Sequence, residues 1–166
     1  MHVLTQDLWF PDLTKATKEG LLAIGGDLSV PRLVYAYRQG VFPWYNAGEP
    51  ILWWSPNPRF VLYPEKLKVS KSMKQLLRKG DYTVTINKDF RSVITECSKI
   101  KREGQFDTWI TNEMFEAYVK LHELGLAKSV EVWRGTELVA GLYGVDLNNG
   151  VFCGESMFTK ESNASK

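Results

Sequence analysis

Histidine and cysteine are scarce in this chain, two of each in 166 residues, and that scarcity removes whole classes of chemistry. A Ser-His-Asp or Cys-His relay needs a histidine. The candidates are His2, near the terminus, and His122, read as a boundary residue on a helix beside Tyr118. Zinc chemistry wants three or four Cys/His ligands at characteristic spacing, and that spacing is absent. Cys97 and Cys153 also lack a CxxC arrangement and make no disulfide framework, so both are expected as buried thiols. Gly25-Gly26-Asp27 completes neither a P-loop nor a GxGxxG fingerprint and reads as a turn. No apolar run approaches the ~20 residues that span a bilayer. Asp7, Pro11 and Asp12 interrupt the N-terminus where a signal peptide would carry a basic and then an apolar stretch. A soluble, cytoplasmic protein is the expectation.

What is present is core material: 44% hydrophobic and 13% aromatic residues suffice for one ordinary domain or two small ones. The net charge of +2 is uninformative, but its distribution is not. Lys66, Lys68, Lys71, Lys74, Arg78 and Lys79 crowd between Glu65 and Gly80 against that single acid. Met73, Leu76 and Leu77 recur at helical spacing, Ser70 is a cap candidate and Gly80 a stop, so Lys71, Lys74 and Arg78 share one helix face. Such a face is either solvated or a nucleic-acid contact.

The remaining texture divides the chain. Residues 1–58 are rich in Gly, Pro and Trp, with one clear helix from Ser29 through Pro31 to Gln39 before Gly40. From Arg59 the pattern predicts a strand over 59–63, the basic helix, a strand over 82–86, and helices over 88–98 and 111–124. Strands over 129–134, 137–145 and 151–157 follow, joined by Arg134-Gly135-Thr136 and Asn148-Asn149-Gly150, which have hairpin composition. Helices followed by an antiparallel meander indicate an α+β layer fold. Gly144, and Gly154 beside Glu155, suggest strands whose backbone is closely approached or bulged.

Six tryptophans are the remaining anomaly. Trp44, Trp53 and Trp54 flank a turn at Asn46-Ala47-Gly48-Glu49-Pro50, and Trp109 sits in Asp107-Thr108-Trp109-Ile110-Thr111. Taken singly, each is a core candidate; on a groove wall a Trp can instead stack a nucleobase.

Ordered along the chain are Gly20-Leu21-Leu22-Ala23-Ile24-Gly25-Gly26-Asp27-Leu28, Gly40-Val41-Phe42-Pro43-Trp44, Leu52-Trp53-Trp54-Ser55-Pro56, Thr108-Trp109-Ile110, Tyr118 to Gly125, Ser129-Val130-Glu131-Val132-Trp133 and Phe152-Cys153-Gly154-Glu155-Ser156-Met157-Phe158. Together they closely resemble the leucyl/phenylalanyl-tRNA–protein transferase family, over almost the whole chain. The resemblance implies a small N-terminal domain, 1–58, and a domain of the acetyltransferase-like (GNAT) superfamily, 59–166, incomplete at its C-terminus. It implies transfer of Leu or Phe from aminoacyl-tRNA to the α-amine of proteins beginning with Arg or Lys, marking them for N-end-rule degradation. It also implies that Trp44 and Trp109 hold the terminal adenosine, and that Lys71, Lys74, Arg78 and Lys79 take acceptor-stem phosphates. Leu142, Phe152 and Met157 would line the aminoacyl side-chain pocket, with Glu155 at that pocket.

An aminoacyl ester is already activated, so alignment, proton removal and exclusion of water suffice, with no metal or cofactor. Position 142 is Leu where the family often has Met, a volume-conserving exchange. The resemblance places the family's Asp and Gln for amine activation beyond Lys166. Glu161-Ser162-Asn163-Ala164-Ser165-Lys166 looks like the start of a helix, so a truncated transferase is the expectation, inactive by itself and prone to associate through an unpaired strand edge at 151–157. Two alternatives stand beside it. An acyl-coenzyme A transferase would want a glycine-rich pyrophosphate loop, and 158–164 contains no glycine. A non-catalytic RNA-binding fragment would need only the basic helix and an aromatic groove.

Overall fold

A computed structural model describes residues 2–100 and 108–164 of the protein. Among them are two four-stranded sheets and four α-helices, a mixed α/β architecture. The first sheet is built from short strands: β1 (His2–Leu4), β2 (Leu21–Gly25), β3 (Phe42–Pro43) and β4 (Leu52–Trp54), in the order β1-β2-β4-β3. β1 lies parallel to β2 and the other pairings are antiparallel. Trp53 is its anchor, fully buried with its Nε1–H donating to the Gly25 carbonyl at 2.8 Å. Between β2 and β3 runs α1 (Val30–Arg38), with Ser29 at the N-cap, Pro31 in the first turn and Gly40 just past the end. Sequence pattern signals this helix but not the sheet around it. Strands of two to five residues are too short to show alternation.

The second sheet has the order β5-β6-β7-β8 and is antiparallel throughout. Its strands are β5 (Thr83–Ile86), β6 (Ala127–Arg134), β7 (Glu137–Asp146) and β8 (Phe152–Thr159). The β6–β7 turn pairs Arg134 with Glu137 around Gly135-Thr136, and Asn148 and Gly150 adopt positive φ in the β7–β8 connection. Three helices belong to this half. α2 (Lys71–Lys79) is capped by Ser70, whose Oγ accepts from the Met73 N–H, and ends at left-handed Gly80. α3 (Phe90–Ser98) is capped by Asp89 and α4 (Asn112–Glu123) by Thr111. α3 packs on β6, β7 and β8 and α4 on β6, so both cover one face of the sheet. α2 buries none of its residues: Met73 and Leu76 are half-buried and Leu77 is exposed.

One expected strand does not form. Residues 59–63 are extended but paired with no strand, and Phe60, Val61, Leu62 and Tyr63 are all exposed. Pro58 and Pro64 bracket the segment and offer no N–H to a ladder. Arg59 is instead tied to turns, its guanidinium donating to the carbonyls of Gly40 and Pro56 and lying 5.3 Å over the Phe42 ring. At the other end, 162–164 forms a turn, and the remainder of the expected helix start, Ser165 and Lys166, lies outside the described residues, as does Asp107.

Buried side chains from both halves form one cluster, from Leu4, Leu22, Leu33 and Trp53 through Phe90, Ile94 and Met114 to Tyr143. Each such aliphatic or aromatic residue contributes about 1.5–3 kcal/mol by leaving water. The same contacts hold α1 against α4, and this seam places the site described next.

Candidate functional site

Between β7 and β8 the register slips: Tyr143 faces Ser156 but Gly144 faces Gly154, leaving Glu155 as the extra residue of a β-bulge. The bulge forms because the backbones come very close at Gly144. A Cβ there would collide with the Cys153 carbonyl oxygen and would lie 2.6 Å from Cζ of Phe152.

The bulge turns Glu155 toward the helix-covered side of the sheet. There the Tyr118 hydroxyl of α4 donates to Glu155 Oε2 at 3.3 Å, and the Tyr37 hydroxyl of α1 lies 2.5 Å from that of Tyr118. Burial pushes the Glu155 carboxyl up to about 7; the two tyrosines' hydrogen bonds and the charge of Arg59 pull the other way. Burial, followed by the nearby Glu155 charge, holds both phenols well above their usual value, so they remain neutral donors. Burial likewise raises the Cys153 thiol. The result is a half-buried carboxyl poised between its two forms near neutral pH, the condition that suits proton handling.

Leu142, Phe152 and Met157 are brought together, on the opposite face. Leu142 pairs directly with Met157, and the Phe152 ring lies over Gly144 between them. Phe152 is 47% and Met157 46% exposed, so neither is a core residue. The four residues thus form two groups, an open apolar patch on one side of β8 and a half-buried carboxyl on the other. The strand between them carries Gly154 and is the sheet's edge among the described residues.

The tryptophans part company. Trp44 is 42% exposed, edge-on to Trp54 at 5.6 Å, with its carbonyl accepting from Trp54 Nε1–H at 2.7 Å. Trp109 is 7% exposed and belongs to the core. Their segments nevertheless meet: the Tyr45 hydroxyl, adjacent to Trp44, lies 3.4 Å from Thr111 Oγ1 and donates to Glu113 Oε2 at 3.3 Å. Lys71, Lys74, Arg78 and Lys79 are all exposed on α2, and Lys79 is paired with Asp81 at 2.9 Å.

Tyr37 and Arg59 are site residues that no sequence motif singles out, whereas Tyr118 opens the motif Tyr118 to Gly125 with no sign in it of a carboxyl partner. Glu131, in contrast, belongs to the motif Ser129-Val130-Glu131-Val132-Trp133, and its buried carboxyl is structural. It accepts from Ser129 Oγ at 2.5 Å, Thr85 Oγ1 at 2.6 Å and the N–H groups of Lys88 and Asp89 at 3.2 and 3.3 Å, fixing the start of α3 against the sheet. His122 stacks on Phe90, ring centroids 4.2 Å apart, and its Nδ1 lies 2.9 Å from the Ala127 carbonyl, a boundary residue as expected. Among the described residues no group of three or more His, Cys, Asp or Glu is arranged to hold a metal ion.

Residues 61–166 match the family model described as leucyl/phenylalanyl-tRNA protein transferase, and residues 26–57 match the model of that protein's N-terminal domain. The chain belongs to the leucyl/phenylalanyl-tRNA–protein transferase family. Relatives bearing that name from Flavobacterium johnsoniae and Flavobacterium psychrophilum are each 60% identical over 166 residues, covering 100% of this chain and 78% of their own. One from Syntrophus aciditrophicus is 60% identical over 157 residues, 95% of this chain and 65% of its own. In this transferase family member, no helix of the described residues is long and apolar enough to cross a membrane.

Proposed function

We propose that the protein moves a leucyl or phenylalanyl group from aminoacyl-tRNA to the α-amine of cytoplasmic proteins that begin with Arg or Lys, marking them for N-end-rule degradation. The amine nitrogen attacks the ester carbonyl carbon, the bond to the terminal ribose oxygen breaks, and one proton passes from the amine to that oxygen. No cofactor is required, because the ester already carries the activation.

The observation that carries this reading is the Glu155 bulge, with an apolar patch on one side of a strand and a carboxyl on the other. An aminoacyl group laid across the β8 edge sets its side chain on Leu142, Phe152 and Met157 and its polar end toward Glu155. Trp44 offers an exposed ring to the terminal adenosine, while Trp109 backs that wall from within the core. Lys71, Lys74, Arg78 and Lys79 meet acceptor-stem phosphates. Residues 1–58 act as a small domain that brings Trp44 and Tyr37 to the seam. Residues 59–166 follow the acetyltransferase-like (GNAT) plan, supported by the antiparallel β5–β8 sheet, its one-sided α3/α4 layer and its bulged strand.

The test is transfer itself. Protein is incubated with radiolabelled Leu-tRNA or Phe-tRNA and peptides beginning with Arg, Lys, Ala or acetyl-Arg. Label is expected in the free-amine Arg and Lys peptides alone. Equal labelling of the Ala peptide, or no labelling of any peptide by residues 1–166 joined to the C-terminal part that the longer relatives carry, would overturn the proposal; residues 1–166 alone are expected to bind the tRNA and label no peptide.

A further inference from the structure

Resting on the placement of Glu155 in the transfer site, we propose that Tyr118 and Tyr37 are positioning residues for that carboxyl, so that α1 of the N-terminal half helps to aim it. The geometry is a hydroxyl chain. Tyr37 lies 2.5 Å from Tyr118, and Tyr118 donates to Glu155 Oε2 at 3.3 Å. Both phenols are buried, Tyr118 completely, and Tyr118 is held edge-on against Tyr143 at 5.6 Å. Neither ring can swing away without breaking the core, so the hydroxyls are fixed in place before any substrate arrives. A bulged residue on an edge strand has no such rigidity of its own. The carboxyl therefore takes its direction from α4 and α1 rather than from β8.

The elements packed around this spot carry the following titratable and charged groups. α4 supplies Tyr118, α1 Tyr37, the segment after β4 Arg59, β7 Tyr143, and β8 itself Cys153. On α3, which also packs against β8, Glu96 is engaged by Lys99 and by Lys160 beyond the strand's end. Arg59, the cation whose charge acts on Glu155, is committed to the carbonyls of Gly40 and Pro56, which leaves the phenols as the groups hydrogen-bonded toward the carboxyl. A hydrogen bond donated to a carboxylate favours its ionised form, so the tyrosines oppose the effect of burial and hold Glu155 within reach of neutral pH.

Tyr118→Phe and Tyr37→Phe keep the rings and remove the hydroxyls. In protein carrying 13C-labelled glutamate carboxyls, with Glu155→Gln identifying the resonance, each variant should move the Glu155 titration upward by about one pH unit. The double variant should move it less than the sum, because the hydroxyls act on each other. The acid limb of the kcat profile for transfer should move with the titration, while KM for aminoacyl-tRNA stays within twofold. An unmoved titration in the folded variants overturns the proposal and leaves the transfer reading standing. A shifted titration with an unmoved kcat profile supports the positioning role and contradicts the placement of Glu155 in the reaction. Should Tyr118→Phe fail to fold, Tyr37→Phe alone decides the matter.

Discussion

Tyr118 and Glu155, 37 residues apart in sequence, meet through a 3.3 Å hydrogen bond between α4 and the bulge of β8. This contact defines the environment in which the carboxyl titrates, and it makes stability depend on pH in a particular direction. Glu155 titrates at about 7 in the folded protein against an ordinary value of 4.5. Between these values the folded state keeps the proton and the unfolded chain has lost it. The folded state therefore loses about 3 kcal/mol from this group as pH rises from 4.5 through 7, and the loss levels off above that. Denaturant unfolding of wild type and Glu155→Gln at pH 5 and pH 8 should show the variant gaining relative to wild type at the higher pH. A constant difference between the two proteins would contradict a raised titration of Glu155 in the folded state.

Gly144 is the hinge of the bulge. An added methyl group meets the Cys153 carbonyl oxygen and the Phe152 ring, so the backbones must part. Gly144→Ala should cost about 1–3 kcal/mol in unfolding free energy. It should also displace the amide resonances of residues 152–156 in an NMR spectrum. Shifts spread evenly over the sheet, with no loss of stability, would show that the close approach is not what shapes the bulge.

Much of this fold is legible in the sequence. Ser70 and Gly80 bound α2, Thr111 and Gly125 bound α4, and Gly135 and Asn148-Asn149-Gly150 mark the turns of the meander, because caps and turns are local signals. The bulge is foreshadowed by Gly144 and Gly154. Other features are written at long range. Tyr37 and Tyr118 are 81 residues apart, and nothing near either announces a shared carboxyl. The segment 59–63 has a strand's composition but no strand beside it, and the first sheet is assembled from pieces too short to show a period. The apolar patch and Glu155 are neighbours in sequence but lie on opposite faces, a consequence of the register slip that composition does not reveal.

Trp44 and Trp109 should respond differently to truncation. The exposed Trp44 ring predicts that Trp44→Ala weakens an aminoacyl-adenosine analogue by about 1–3 kcal/mol with little change in melting temperature. The buried Trp109 predicts a stability loss of about 3–5 kcal/mol for Trp109→Ala. Calorimetric titration and thermal unfolding of the two variants separate these outcomes. A Trp44→Ala protein that binds the analogue normally would remove the adenosine from this wall.

Phosphate contacts by α2 predict a steep salt dependence of tRNA binding, since each neutralised phosphate releases counterions. Charge reversal at Lys71, Lys74 and Arg78 together should flatten the slope of log affinity against log salt by about 2–3. Lys79→Ala should change it less, because Lys79 already pairs with Asp81. An unchanged slope in the triple variant would exclude α2 from the tRNA surface.

Single-turnover transfer tests most directly whether the aminoacyl group reacts at the Glu155 bulge. Wild type and Glu155→Gln, each joined to the C-terminal part that the longer relatives carry, matched for folded fraction and saturated with Phe-tRNA, are compared for the rate of labelling an Arg-initiated peptide. Glu155→Gln should retain tRNA binding and transfer about 100-fold more slowly, the scale of a lost proton-handling group. Transfer at the wild-type rate by the folded Glu155→Gln protein would contradict reaction at the bulge.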